Sequence, residues 1–359
     1  MMIRGLSRLL TIAGIRNDTL CVSEWVSPGH PDKTCDYISS YLLDRNLEKD
    51  PKTRFAVEAM LKDQQCTLGG EVTGKANFND DQIRWFARNA FSEIGYTREY
   101  QDRWGRKNAI CGEDVDVFPT ISRQSPDIAK GVDRDAWGDQ GIFFGMAVDD
   151  ASTGFMPKDH YLARELGMKL YLAAREDGIG GLDIKTMVSC RGEKVESVVV
   201  AIPMQGDGNL PKVREIAVSV TGCANVTING TGSYVTHSSI GDCGVTGRKL
   251  AVDFYGGNCP IGGGSPWTKD PTKADLTLNI HARQLALDFM RKSGRSFVQA
   301  ALSCVIGRKE VDVSYRDEHG REIESARIDC PPSELIRKYR LDRPIYTKLC
   351  MEGIFSVCS

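Results

Sequence analysis

Two basic, glycine-bearing segments carry the densest chemistry in this 359-residue chain: Asp242-Cys243-Gly244-Val245-Thr246-Gly247-Arg248-Lys249, and about twenty residues on, Lys269-Asp270-Pro271-Thr272-Lys273-Ala274-Asp275. Tyr255-Gly256-Gly257 and the triple glycine Gly262 to Gly264 lie between them. Arginine and lysine can neutralise phosphate oxygens, glycines let backbone N–H groups approach a ligand closely, and flanking aspartates can hold a hard metal. The inventory suits a polyphosphate with its Mg²⁺. The chain has no GxxxxGK[ST] sequence, so it is not a common P-loop. Either half alone could equally be a solvated basic loop; the two together, with a third segment near the N-terminus, point to an anion site.

That third segment is Gly29-His30-Pro31-Asp32-Lys33, which opens a helix with Ile38, Tyr41 and Leu42 on its apolar face. Proline suits a first helical turn, whose free N–H groups attract anions. His30 and Lys33 add donors, and Asp32 can ligate a cation held by that anion. Asp275 occupies the same position at the start of a later helix. Each aspartate alone would be read as complementing the helix dipole, but two in matching places beside Lys or His favour a metal. Glu58 interrupts the apolar strand Phe55 to Leu61, either as a solvent-facing residue or as a cation ligand; Glu71 follows Gly69-Gly70 in the next strand.

These residues need a scaffold. The length allows two or three modest domains. Net charge is −2 with 26% charged residues, so no global nucleic-acid footprint exists and the cations act locally. The 12 cysteines are dispersed without zinc-type spacing, which reads as reduced thiols of a cytoplasmic protein. No apolar run reaches the length of a membrane span. Residues 1–19, with Arg4, Arg8 and Arg16, have the composition of a short presequence, but so short a segment arises easily by chance and is read as an N-terminal extension.

Periodicity predicts strands over Phe55–Leu61, Cys66–Thr73, Gly141–Val148, Lys185–Cys190, Val195–Ile202 and Arg248–Phe254. It predicts helices over Asp80–Ile94, Asp159–Arg175, Lys212–Thr221 and Asp275–Arg291. A helix beside paired strands recurs about three times, and Gly138-Asp139-Gln140-Gly141 echoes Gly241-Asp242-Cys243-Gly244. The fold class is therefore α+β, three related units packed into one body rather than a Rossmann sheet.

The segments resemble the S-adenosylmethionine synthases, also called methionine adenosyltransferases. Ser23 to Lys33 is similar to the family's SESVSEGHPDK, and Gly138 to Gly145 to its GDQGxxFG. Gly241 to Lys249 matches GDCGLTGRK, Lys269 to Asp275 resembles KDPSKVD, Leu182 to Lys185 resembles PDAK, and Pro344-Ile345-Tyr346 resembles HPIYK. The resemblance runs from about Leu20 to the C-terminus.

It implies three similar domains around a pseudo-threefold axis, here 20–125, 126–237 and 238–359. It also implies a homodimer or homotetramer with sites between subunits, and a reaction in which the sulfur of methionine displaces the triphosphate of ATP. Carried over residue by residue, His30, Lys185, Arg248, Lys249 and Lys269 are catalytic. Asp183, Ser233, Tyr234, Asp242 and Ser265 join them around ATP. Glu71, Gln124, Asp139, Asp242, Lys273 and Ile306 lie around methionine. Asp32 and Asp275 hold Mg²⁺, two ions per site, and Glu58 belongs to a K⁺ site. Residues 124–135 resemble the family's lid.

Departures cluster in the same places. Pro28 replaces a glutamate, Ser233 an arginine and Tyr234 the stacking Phe, while Ser265-Pro266-Trp267-Thr268 replaces a Phe-Ser-Gly stretch. Trp267 in place of a small serine predicts weak K⁺ activation, with Glu58 paired instead to a Lys or Arg. Two other functions compete: a related transferase with altered nucleotide or thioether specificity, and a non-catalytic nucleotide-binding regulatory homologue.

Overall fold

The structure, a computed structural model, describes residues 19–123 and 135–358. The first stretch holds β1 (Leu20–Val26), α1 (Pro31–Leu47), β2 (Arg54–Lys62), β3 (Gln65–Thr73), α2 (Asp80–Ile94), α3 (Arg98–Trp104) and β4 (Asp116–Ser122). Next come β5 (Gly141–Val148), α4 (Lys158–Glu176), β6 (Lys185–Arg191), β7 (Lys194–Ala201), α5 (Leu210–Thr221) and β8 (Val226–Ile228). The last stretch is β9 (Gly244–Val245), α6 (Ala274–Ser293), β10 (Phe297–Cys304), β11 (Glu310–Arg316), β12 (Glu322–Asp329), α7 (Pro332–Tyr339) and α8 (Tyr346–Glu352).

The strands form three four-stranded sheets, β9-β2-β3-β4, β1-β6-β7-β8 and β5-β10-β11-β12. Each is built on a hairpin that follows a long helix: α1 before β2–β3, α4 before β6–β7, α6 before β10–β11. The strand preceding each long helix leaves its own unit. β1 pairs with β6, β5 with β10, and β9 with β2, all antiparallel. The exchange runs from the first unit to the second, the second to the third, and the third back to the first. Such a closed cycle is what gives the three α+β units their pseudo-threefold arrangement. The first two units match further, because β4 joins β3 and β8 joins β7 in parallel after a helical crossover, whereas β12 joins β11 as a plain antiparallel strand.

Local chemistry explains the boundaries. α2 opens on a capping box between Asn79 and Gln82 and closes on Gly95 at φ 113°, which no side-chain-bearing residue adopts readily. The long helices lie on one face of each sheet, α1 on β2, α4 on β1 and β6, α6 on β5 and β10, and bury Ile38, Leu42, Leu166, Leu170, Ile280 and Leu287. The opposite faces stay open, with Leu20, Met187, Met60, Phe118 and Ile142 between 37% and 56% exposed. The strand predicted over 248–254 is instead a helical turn at Leu250–Asp253, and the ladder contact is made earlier, by β9. Alternation of Leu250, Val252 and Phe254 imitates a strand; Asp253 turns inward to Lys33 and breaks it. Among the described residues, no helix is long and apolar enough to cross a membrane.

Candidate active site

His30 is the residue before α1, and its Nδ1 accepts the Asp32 N–H at 3.2 Å. The approach is locked by Ser27, whose N–H donates to the Ile184 carbonyl at 2.9 Å while its Oγ accepts the Ile184 N–H at 2.9 Å and donates to the Leu182 carbonyl. A Cβ on Gly29 would lie 2.3 Å from the Leu182 carbonyl oxygen, so only glycine permits this approach. The crossing carries Asp183 and Lys185 to His30. Burial, then Lys185 and Lys249, press the His30 pKa far below its ordinary value. The imidazole is therefore neutral, and with Nδ1 accepting, Nε2 carries the proton as a donor.

The α1 carboxylates grip the loop that follows Asp242. Asp32 accepts the Val245 N–H at 2.9 Å and Lys249 Nζ at 2.6 Å, and Arg248 Nε lies 3.6 Å away. Asp36 accepts the Gly247 N–H at 2.9 Å, and a Cβ on Gly244 would lie 2.3 Å from the Pro31 carbonyl oxygen. Lys33 sits between Asp36 (3.2 Å) and Asp253 (2.6 Å), all three buried. Burial raises the Asp36 carboxyl above the ordinary carboxylate range against the pull of Lys33. This lysine–aspartate group holding the loop was missed in the sequence; the i,i+3 spacing of Lys33 and Asp36 is the signal that could have found it.

α6 repeats the theme. Asp275 in its first turn accepts the Gly264 N–H at 2.5 Å and faces Lys269 Nζ at 2.9 Å. Lys273 is tied to Asp270, which also accepts the Phe55 N–H at 2.8 Å and so joins this loop to β2. Ser265 packs beside Gly247, setting the two loops side by side.

Glu58 corrects one expectation: among the described residues it pairs with neither Lys nor Arg, and it accepts hydroxyls from Thr246 and from Thr268, the latter at 2.9 Å. Trp267 lies one residue before Thr268. Its indole is fully buried, with Lys33 Nζ 5.0 Å from the ring centre, and its bulk goes into the core.

Residues 182–185 and 234–238 face each other: Asp183 Oδ2 accepts the Ser238 N–H at 2.9 Å, and the Tyr234 hydroxyl donates to the Asp183 carbonyl at 3.5 Å. Burial, opposed by the Ser238 bond and Lys185, raises the Asp183 carboxyl to about 6. Ser233 donates to Asp207 at 2.5 Å. Asp242 is exposed, accepts the Cys243 N–H at 2.8 Å, and acts electrostatically on His30.

Glu71, Asp139 and Ile306 make no hydrogen bond to the described residues of this group. Glu71, opposite Ala56, shares the open face of its sheet with Glu58, Met60 and Phe118. Asp139 leads into β5, and its carbonyl accepts the Cys304 thiol at 3.4 Å. Ile306 is 58% exposed in the β10–β11 turn. Gln124 lies outside the described residues. No cluster of three or more His, Cys, Asp or Glu side chains poised for a metal occurs among the described residues.

A buried histidine, converging cations and an aspartate at each of two helix starts thus sit on three strand-exchanged α+β units. Family models match the first and last thirds of the chain. Residues 18–126 match the N-terminal domain and residues 236–358 the C-terminal domain of S-adenosylmethionine synthetase. S-adenosylmethionine synthase of Brachyspira hyodysenteriae is 33% identical, over 93% of this chain and 92% of that protein. The enzyme of Methylobacterium sp. (strain 4-46) is 34% identical, over 95% and 93%. A solved structure, described as an unusual S-adenosylmethionine synthetase from Campylobacter jejuni, superposes with a TM-score of 0.84 at 28% identity, covering 93% of this chain and 94% of that one. The chain belongs to the S-adenosylmethionine synthase family and is a methionine adenosyltransferase by class.

Proposed function

We propose that this chain transfers the adenosyl group of ATP to L-methionine. The sulfur lone pair attacks C5′, the C5′–O bond breaks with its electrons left on the triphosphate, and a sulfonium forms; the triphosphate is then hydrolysed to pyrophosphate and phosphate. A thioether has no proton to lose, so the step needs no general base. It needs alignment of sulfur with carbon and stabilisation of a polyanionic leaving group.

The observation that carries the reading is a buried His30 at the start of α1, where the strand pairing brings Lys185 and Asp32 holds Arg248 and Lys249. In our reading His30 donates through Nε2 at the ribose–triphosphate junction. Lys185, Arg248, Lys249 and Lys269 meet the charge that develops as the triphosphate leaves. Tyr234 stacks on adenine, with Ser233, Asp183, Asp242 and Ser265 around the nucleotide. Glu71, Gln124, Asp139, Asp242, Lys273 and Ile306 hold methionine.

Mg²⁺ is bound in proteins by one or two carboxylates plus substrate phosphates rather than by a full protein cage. The single carboxylates of Asp32 and Asp275, each beside cations that engage phosphate, fit that demand. When bound, Mg²⁺ neutralises phosphate oxygens. The carboxylate of Glu58 with the hydroxyls of Thr246 and Thr268 is an all-oxygen donor set and fits K⁺.

The open sheet faces and the standing-off of Glu71, Asp139 and Ile306 support a homodimer, or a dimer of such dimers, in which two copies complete each site. We read units 20–125, 126–237 and 238–359 as its domains, and the cytoplasm as its place, supported by buried free thiols such as Cys66, Cys111 and Cys259. Purified protein, incubated with methionine and each of the four nucleoside triphosphates, should yield sulfonium and pyrophosphate with ATP. Absence of sulfonium with every nucleotide overturns the reading.

A further inference from the structure

We propose that Tyr100 and His237 form a positioning pair that sets the spacing between the two walls of the nucleotide site, residues 182–185 and residues 234–238. The inference rests on the functional reading above, which sets Lys185 and Asp183 of the first segment and Tyr234 of the second around the nucleotide.

A directional chain of hydrogen bonds carries it. The Leu182 N–H donates to the Tyr100 oxygen at 2.9 Å, Tyr100 lies 2.6 Å from His237 Nε2, and His237 Nδ1 lies 2.6 Å from the Val235 carbonyl. A carbonyl only accepts, so Nδ1 holds the proton; Nε2 is then bare and accepts from the phenol, whose oxygen is left to accept from Leu182. Every donor and acceptor in the chain has a single assignment. Tyr100 is 6% and His237 2% exposed, and burial lowers the His237 pKa to about 4, so the imidazole stays neutral and its tautomer stays fixed. Trp104 sets the ring edge-on, with centroids 4.8 Å apart.

The chain ends where the nucleotide would begin. Val235 follows Tyr234. Ser238 follows His237, takes φ 55°, a left-handed conformation unusual for serine, and from it sends its N–H to Asp183. Tyr100, on α3, thus braces both walls from behind and touches neither reacting group. A phenylalanine would fill the same space but leave the Leu182 N–H and His237 Nε2 without partners, so the role lies in the hydrogen bonds and not in bulk.

The test uses the full-length protein with Tyr100→Phe, His237→Gln and the double variant. Loss of this bracing should raise the KM for ATP about tenfold in each single variant, with kcat and the KM for methionine within about twofold, since a purely structural defect lowers the active fraction without separating the two substrates. The double variant should be no worse than the poorer single one, as members of one chain are not additive. Calorimetric binding of the β,γ-imido analogue of ATP with Mg²⁺ should weaken in parallel. Folded variants with an unchanged ATP KM, or with both KM values shifted alike, overturn the pair. If Tyr100→Phe does not fold, His237→Gln is decisive; if neither folds, the residues belong to the core and the proposal fails. A wild-type protein that makes no sulfonium refutes the functional reading instead, and the imido-analogue titration still judges the pair.

Discussion

Asp32→Asn separates a metal ligand from a loop clamp. Asp32 is 1% exposed in its side chain and Lys249, its partner at 2.6 Å, is 18% exposed. Asparagine keeps one oxygen for the Val245 N–H but turns an amide donor toward an ammonium. Removing one partner of a fully buried pair costs about 3–5 kcal/mol, and of an exposed pair about 0–1 kcal/mol. Lys249 can turn partly into water, so about 2 kcal/mol of stability should go. At about 2–4 °C per kcal/mol for a chain of some 150–250 residues, and less for a longer one, Tm should fall by a few degrees. Asp275→Asn breaks a pair that is 17% and 27% exposed, so its cost should be nearer 1 kcal/mol.

A clamp predicts no more than these shifts. A ligand predicts in addition that the Mg²⁺ concentration for half-maximal rate rises at least about tenfold, equivalent to about 1.4 kcal/mol of lost binding. The assay is a Mg²⁺ titration of initial rates at fixed ATP, beside differential scanning fluorimetry of both variants. Lower Tm with unchanged Mg²⁺ curves in both variants would refute the metal assignment and leave the aspartates as loop anchors.

Three further outcomes are expected. Lys185→Ala should cut sulfonium formation by orders of magnitude while ATP binding weakens far less, because the contact strengthens as charge develops; equal losses in calorimetry and turnover would remove that role. Asp183 has a folded pKa raised to about 6 by burial, above its ordinary 3.8, so its stabilising contribution is complete below about pH 4 and is lost as pH rises through about 6. The Tm of Asp183→Asn should therefore gain on wild type between pH 4 and 7, and parallel Tm profiles would count against a buried, reluctant carboxylate. With Trp267 turned into the core, KCl should stimulate the enzyme in tetramethylammonium buffer at constant ionic strength, and Glu58→Gln should abolish the response; stimulation that survives the substitution places the ion elsewhere.

Local signals were legible where one residue's chemistry decides the backbone. The Asn79–Gln82 capping box and Gly95 end α2 within the residues read from the sequence, and Pro31 opens α1 as expected. The charged inventory was equally plain, because polyphosphate chemistry needs cations in numbers that stand out from their surroundings. What stayed hidden depends on partners far along the chain. Glu58 meets Thr246 and Thr268, 188 and 210 positions away, and no spacing rule links them. Trp267 follows three glycines and a proline, so it reads as a loop residue beside the ligand; only packing against Lys33 shows that the indole fills the core.

The strand exchange explains why the site could be inventoried but not assembled from sequence. β9 is two residues long, too short for any periodic signal, yet its pairing with Met60 and Leu61 carries Thr246 to Glu58 and sets Gly244 against Pro31. The same stretch delivers Arg248 and Lys249 to Asp32. β1 does the equivalent work for the second unit: its pairing of Val26 with Lys185 brings the Ser27–His30 turn beside the Leu182–Lys185 turn. β9 and β1 thus join the N-terminus of α1 to cations of the other two units. An anion site made this way has no contiguous motif, because its parts are adjacent only after the cycle of sheets has closed.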